Sequence, residues 1–373
     1  MRLTEAEFKL RYRLDYDAFH KLLHLLIADL QVGDEKKAKN AKGGQLVLPE
    51  VKLCIALRYF AGGSPLDLRL IYHVSKSYVY DCVWLVVDAV HKRLSMELPI
   101  DNFEKLRILE AEWRSKARCP GWVGQVGALD GVHFPIKAPS KRDCADPTRY
   151  HVARKDKYAL LAMAICDASR RFTWYDISQT PNTHDSLAFS LTDLGIQIKD
   201  GHLPSPFFIN ADAAFSASNS IITPSGESAL DDFDFHQSGN RVAIECAFGI
   251  LVRRFPILWR PLQVKFSRCA AIIGACMHLH NFCIDHNVSE DTVVSEGGIS
   301  KVQPARWAMA PLFDRDGRPV EYLASVLRDT ERSRAALRSD VVLKRNELAA
   351  AVRECGVVRP PLGPGQVPKK RRR

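Results

Sequence analysis

Apolar positions recur at helical spacing through the first third of the chain. Phe19, Leu22, Leu23, Leu25 and Leu26 set one amphipathic stripe. The polar stretch GDEKKAKNAKGG (33–44) interrupts it as a loop. Helical spacing resumes from Val51 to Phe60, with Pro49 suited to the first turn and Ala61-Gly62-Gly63 as the stop. Residues 64–94 then predict a short helix from Pro65 to about Tyr72 and a tight turn at His73-Val74. A longer helix capped by Ser75 follows. That outline fits a helix-turn-helix. The exposed start of its second helix offers Lys76, Ser77 and Tyr78, types that contact phosphates and base edges. An ordinary helical hairpin fits the same spacing.

After Trp122 the texture changes to strand-like runs at 123–136, 157–168 and 171–178, the last two joined by a turn at Asp167-Ala168-Ser169-Arg170. A helix is predicted from a Thr183 cap to about Leu194, and an apolar strand at 205–212. Residues 217–238 are Ser-rich and acidic and read as loop. Residues 240–258 predict a strong amphipathic helix whose stripe is Ile244, Phe248, Leu251 and Phe255. A second apolar helix follows at about 267–286. Residues 288–320 read as loop and 321–355 as one or two polar helices. The expected organisation is a helical segment 1–120, an α/β domain 121–290, an extension 291–355 and a disordered Pro/Gly-rich basic tail 356–373.

Composition narrows the partners. The chain has 373 residues and 53 Lys and Arg against 43 Asp and Glu, a net charge of +10. A surplus of this size points to nucleic acid or an anionic surface. The best apolar run, Tyr158 to Cys166, is half the ~18 residues a membrane helix needs. The N-terminal stretch carries acids where a secretion signal would carry its apolar core. No membrane association is therefore expected. The ten cysteines are scattered with no C-x-x-C pair, which reads as reduced thiols in a cytoplasmic or nuclear protein. Cys269, Cys276 and Cys283 fall at heptad spacing beside His278, His280 and His286. Zinc is one reading of that helix face; a buried face of small side chains is the simpler one.

The charge is also unevenly placed. Five of the ten surplus charges are the last five residues, Lys369 to Arg373, a compact run of the kind that serves as a nuclear address. Lys137, Lys141, Arg142, Arg149, Arg154, Lys155 and Lys157 outnumber three acids in residues 137–157. Residues 253–268 hold five cations and no acid. Both stretches are candidates for neutralising phosphates.

Three carboxylates carry the chemistry. Asp130 and Asp212 each stand where an apolar strand ends, the position at which α/β sites form. Glu245 lies between Ile244 and Cys246 on a half-buried helix and needs a cation or metal beside it. Converging acids of this kind suit Mg²⁺ or Mn²⁺. Taken singly, they read equally well as two turn aspartates and a glutamate paired with Arg241 or Arg253.

Four segments in order connect the three acids. GALDGVHFPIKAP, RKDKYALLAMAICDASRRF, PNTHDSLAF and NRVAIECAFGILVRRFPIL, spread over residues 127–258, resemble the catalytic core of the PIF/Harbinger-type DDE transposases and the nucleases derived from them. The family's D-G-x-x pattern falls on Asp130. Its strand-end acid falls on Asp212 in INADAAF, and its R-x-x-x-E-x-x-F-G segment falls on Arg241 to Gly249 with Glu245. HLHNFC (278–283) resembles the family's Leu-His-Asn run. The surroundings of Asp212 depart from the pattern: Ala211 precedes it and Phe215 stands where the family has Tyr. His184 and Asp185 match a His-Asp pair; an Asp in the first turn of a helix is favoured by the dipole alone.

The resemblance implies an α/β, RNase H-like catalytic domain with a mixed sheet flanked by helices. It would be preceded by an all-α domain holding the helix-turn-helix. It implies a DDE endonuclease or transposase in which Asp130, Asp212 and Glu245 hold two divalent ions, Mg²⁺ or Mn²⁺, and cut DNA. Lys76, Ser77, Tyr78, Lys141, Arg142, Arg154, Lys155 and Lys157 are the candidate DNA contacts. A Myb/SANT-like accessory protein and a homo-oligomer are the candidate protein partners, and the nucleus the expected location. The competing expectation is a domesticated DNA-binding protein that keeps the fold and has lost cleavage. A metal hydrolase acting on a small phosphoester leaves the basic strips unexplained.

Overall fold

The computed structural model describes residues 3–31, 46–289 and 331–359. The polar loop expected at 33–44, most of the 288–320 stretch and the basic tail from 360 onward lie outside them.

Among the described residues the chain opens with helices α1 (Glu5–Tyr12), α2 (Tyr16–Leu30), α3 (Pro49–Phe60), α4 (Pro65–Ile71) and α5 (Lys76–Arg93). Local chemistry sets their starts. Thr4 and Glu7 form a reciprocal capping box, Asp15 accepts from Ala18, and Pro49 and Pro65 occupy first turns. Ser75 accepts from the Tyr78 N–H, as the sequence suggests, and His73 takes the left-handed conformation (φ 52°) that makes the turn before it. These helices bury Phe19, Leu22, Leu26, Phe60, Val83 and Val87 in one continuous core with the sheet and the helices behind it. Helix α6 (Phe103–Lys116) then leads to the first strand.

The sheet is mixed. Its order is β2–β3–β1–β5–β6, with β4 also paired to β3. β1 (Gln125–Pro135) runs antiparallel to β3 (Lys157–Cys166), which pairs antiparallel with β4 (Phe172–Asp176) and the short β2 (His151–Val152). On the other side β1 is parallel to β5 (Phe208–Asn210), and β5 to β6 (Ile221–Ile222). One face packs Val126, Leu129, Met163 and Ile165 against Ala188 and Phe189. The other packs Ala128, Phe134 and Ala162 against Ile244, Ala247 and Phe248. The alternation follows from the two-residue period of a strand covered on both faces, with Val126 offset by the register shift between Gln125 and Gly127.

Three expectations are revised. The single helix after Thr183 is two: α7 (Asp185–Ser190), capped by His184 rather than Thr183, and α8 (Asp193–Lys199), capped by Thr192. The Thr192 side chain accepts from Gly195 and so starts a new helix where the apolar period alone runs on. The supposed loop 217–238 contains β6 and the start of a long helix, α9 (Asp231–Arg254). Three first-turn acids, Asp231, Asp232 and Asp234, favour that N-terminus through the helix dipole. Asp234 also accepts from Ser225 and Gly226, tying down the preceding turn. Pro256 stops the helix sooner than predicted.

Helix α10 (Phe266–Asp285) is buried along most of its length. Its His-Asn pair is structural. Asn281 accepts from the Phe172 N–H (2.8 Å) and donates to its carbonyl (2.7 Å), and His280 Nε2 lies 2.9 Å from the Arg170 carbonyl. Together they dock α10 on the β3–β4 hairpin. Cys269, Cys276 and Cys283 are buried in the same core, and no metal-binding group forms there among the described residues. Helix α11 (Glu331–Glu354) packs Leu348, Ala349 and Val352 against Trp122, Phe208, Ile222 and Phe233. Among the described residues, no helix is long and apolar enough to cross a membrane.

Candidate active site

Asp130 does not close its strand, as the apolar run alone suggests. β1 continues to Pro135, and Asp130 pairs across to Ala164. What ends at that level is burial: residues 125–129 are buried and 130–133 only partly so. The parallel partner β5 also ends there. Ala128 is in register with Asn210, so Asp130 and Asp212 each stand two residues beyond the last position at which β1 and β5 pair with each other. The two acids therefore emerge side by side, as the sequence implied, for a different local reason.

Helix α9 brings the third acid. Gln237, Arg241 and Glu245 are four apart and share a face. The Arg241 guanidinium lies 2.6 Å from Glu245 Oε1 and 3.6 Å from Asp130 Oδ2. It therefore spans a strand acid and a helix acid. Glu245 is half-exposed, and its partner is Arg241, one of the two alternatives the sequence offered.

Burial pushes the Asp130 carboxyl up to about 7. Arg241 and the Gly131 N–H pull it down, while Asp212 and Glu245 push it further up. Asp212 is anchored by its own turn, accepting from the Ala214 N–H at 2.8 Å. A fourth acid belongs here. Burial, then the Asp212 charge, raises the Asp185 carboxyl, and Asp185 Oδ1 lies 3.2 Å from where a Cβ on Gly131 would sit. Gly131 thus leaves room for Asp185 to approach the strand. The His-Asp pair in the sequence carried this signal, and the dipole explanation hid it.

A neutral network holds the frame beneath these charges. Gln125 Oε1 accepts from Trp122 Nε1 (2.7 Å), Asn210 Nδ2 (2.9 Å) and Asn240 Nδ2 (3.2 Å). Gln237 Nε2 donates to the carbonyls of Ala211 (2.7 Å) and Ile222 (3.2 Å). β1, β5, β6 and α9 are thereby fixed immediately next to Asp212 and one helical turn before Arg241. Nothing in the hydrophobic period marks Gln125, Asn210, Gln237 or Asn240 as a unit.

The site's chemistry suits a hard cation: it offers only carboxylate oxygens, with excess negative charge around Asp130. Among the described residues no three acids, histidines or cysteines converge as a formed metal site, and the cation spanning two of the acids is Arg241. The residues fit a divalent ion by donor type and charge.

The two basic stretches differ. Lys141, Arg142 and Arg154 are exposed on the β1–β3 connection, Lys157 is exposed at the start of β3, and Lys155 is half-buried with Nζ 3.5 Å from His133 Nδ1. Burial, then Lys155, pushes the His133 imidazole down to about 4. Lys76 and Ser77 are exposed at the start of α5, while Tyr78 packs partly into the core. In 253–268, by contrast, Arg254 is buried, donating to the carbonyls of His280 and Val288. Arg268 sits over the Trp84 ring and near Asp88. These two cations serve the fold.

Residues 129–281 match the family described as DDE superfamily endonuclease. The chain carries a DDE superfamily endonuclease domain. It is homologous to proteins named "Putative nuclease HARBI1". The Mus musculus protein is 26% identical over 252 residues, covering 65% of this chain and 69% of the relative. Those of Rattus norvegicus and Homo sapiens are 25% and 24% identical over 296 residues, covering 77% of this chain and 80% of each relative. No solved structure gives a significant match. The Harbinger-type resemblance read from the sequence is borne out, and the matched span contains Asp130, Asp185, Asp212, Arg241 and Glu245.

Proposed function

We propose that this protein is a metal-dependent DNA endonuclease of transposase descent, with Asp130, Asp212 and Glu245 as the carboxylates that hold Mg²⁺ or Mn²⁺, two ions in the full site. The observation that carries the reading is the excess of negative charge around Asp130, where the pairing of β1 with β5 stops. The RNase H-like class and the helix-turn-helix reading of α4 and α5 belong to the same proposal. When bound, the ions supply activation of a water or 3′-hydroxyl and neutralise charge at the phosphodiester.

The chain's own residues do the rest. Arg241 holds Asp130 and Glu245 together against their repulsion. Asp185 adds negative charge behind Gly131. The Gln125 and Gln237 hydrogen bonds keep the strand ends and α9 in fixed relation, which preorganises the acids. Lys141, Arg142, Arg154 and Lys155 lie on the connection that leaves β1 beyond Asp130, with Lys157 at the start of β3, suited to the phosphate backbone; Lys76, Ser77 and Tyr78 form a second contact. The family resemblance alone adds a Myb/SANT-like accessory protein and a homo-oligomer as partners. The basic tail suggests the nucleus.

The test is nicking of supercoiled DNA by the purified chain with Mn²⁺. Wild type nicks, and Asp130→Ala, still folded, does not. Equal nicking by the variant would remove Asp130 from the site. Tight DNA binding without nicking by wild type would support the silent DNA-binding alternative.

A further inference from the structure

Cys119 lies in the segment between α6 and β1, and Cys355 directly follows α11. They are 236 residues apart in sequence, yet their sulfurs lie 2.7 Å apart. Both are free thiols, Cys119 buried and Cys355 half-buried. The Cys119 thiol also points at the Ala351 carbonyl, at 3.4 Å.

The pair is held from both sides. Trp122, Phe208, Ile222 and Phe233 pack against Leu348 and Val352 around it. Arg345 donates to Thr223 Oγ1 (2.8 Å), and Arg359 donates through its backbone N–H to Asp232 and through its guanidinium to Asp231, each at 2.7 Å. Gly121 permits the close approach, since a Cβ there would lie 3.0 Å from Ala351 Cβ. Nothing in the spacing marks this pairing: the cysteines lack a short separation and lie on either side of the α/β domain in sequence.

We propose that Cys119 and Cys355 form a redox-sensitive dithiol, whose oxidation to a disulfide staples the C-terminal end of α11 to the segment that leads into β1. A disulfide is about 2.05 Å long, so the sulfurs close by less than about 1 Å with both segments already in place. With hydrogen peroxide as oxidant, the more accessible Cys355 thiol attacks one peroxide oxygen, giving a sulfenic acid and one water. Cys119 sulfur then attacks the Cys355 sulfur, expelling the hydroxyl as a second water. Two S–H bonds are lost, one S–S bond forms, and the peroxide is reduced to two waters. A small dithiol reverses the step by exchange. Burial, then Cys355, pushes the Cys119 thiol up to about 11, so ring closure accelerates as pH rises toward that value. The consequence reaches the site, because that segment leads into β1, which carries Asp130, and α11 packs against Phe208 of β5 and Phe233 of α9.

The full chain is treated with hydrogen peroxide, alkylated and mapped by mass spectrometry, and its thermal unfolding is followed. The expected result is a Cys119–Cys355 linked peptide, two hydrogens lighter than its parts and removed by dithiothreitol. The unfolding midpoint should rise by several degrees in the oxidised form. Cys355→Ser and Cys119→Ser should each lose both signals, and Cys355→Ser should keep the midpoint of the reduced wild type. Cys119 remaining alkylatable after Cys355 is consumed, Cys355 linked to another cysteine, or a link without a rise in midpoint would each overturn the proposal. None of these readouts depends on nuclease activity.

Discussion

Two polar clusters sit side by side on the same three elements, β1, β5 and α9, and they are built on opposite terms. Around Gln125 the groups are neutral, and its side-chain oxygen accepts from three donors. Around Asp130 they are charged, carboxylates outnumber the one arginine, and burial raises the carboxyl it should ionise. A hydrogen-bonded neutral network specifies the fold, whereas crowded like charges oppose it. Crowding of that kind persists where a ligand or a reaction uses it. The first cluster is the frame and the second the instrument.

The largest effect that separates them is catalytic. Asp130→Asn should keep the fold and lose DNA nicking by more than the ~10–100-fold that a metal site's outer partners typically cost. Plasmid nicking with Mn²⁺ measures the loss, and circular dichroism checks the fold. Near-normal nicking would make the charged cluster incidental.

Gln125→Leu should do the reverse. It strips the acceptor from three donors, so stability should fall by roughly 2–4 kcal/mol, read from urea midpoints. A loss below about 0.5 kcal/mol would mean that the network is not a frame.

The third prediction concerns pH. Below the ordinary carboxylate range Asp130 is protonated whether the chain is folded or not, and contributes no pH dependence. From about 4 to about 7 the unfolded chain ionises while the folded site keeps its proton, so stability falls as pH rises. Above that the penalty is complete. Without divalent metal, Asp130→Asn should therefore gain stability over wild type as pH goes from 4 to 8, by up to roughly 4 kcal/mol. A constant difference would contradict the crowding. His280 moves oppositely: burial, then Arg254, pushes its imidazole down to about 3, so its contribution is lost as pH falls from 6.5 toward that value.

The smallest effect tests the DNA path. Arg142→Ala should weaken DNA binding and reduce the salt slope by about one. Arg254→Ala should instead destabilise the fold, since its guanidinium is buried on two carbonyls.

How much of this was legible in the sequence depends on which force set each feature. Strands β1, β3 and β4, the Ser75 cap and the stripe of Ile244, Phe248 and Leu251 follow from period and capping, and were readable. The start of α9 was not, because its first turns are fixed by dipole and by Asp234 holding a turn, neither of which leaves an apolar period. The break between α7 and α8 hung on one hydroxyl. For the candidate site, motif order pointed to Asp130, Asp212 and Glu245. Only three-dimensional register explains why the first two stand together, and only the packing around Gly131 brings in Asp185. Charge counting treated the stretches 137–157 and 253–268 alike, because composition does not distinguish an exposed arginine from Arg254 inside the core.

The central claim is that the crowded acids are a divalent-metal site. Calorimetric titration of Mn²⁺ into wild type and Asp130→Asn at pH 7 tests it directly. Binding by wild type, with proton release as the raised Asp130 carboxyl ionises, and at least ~10-fold weaker binding by the variant, is the predicted result. Two flat titrations, or equal binding by both proteins, would contradict the account.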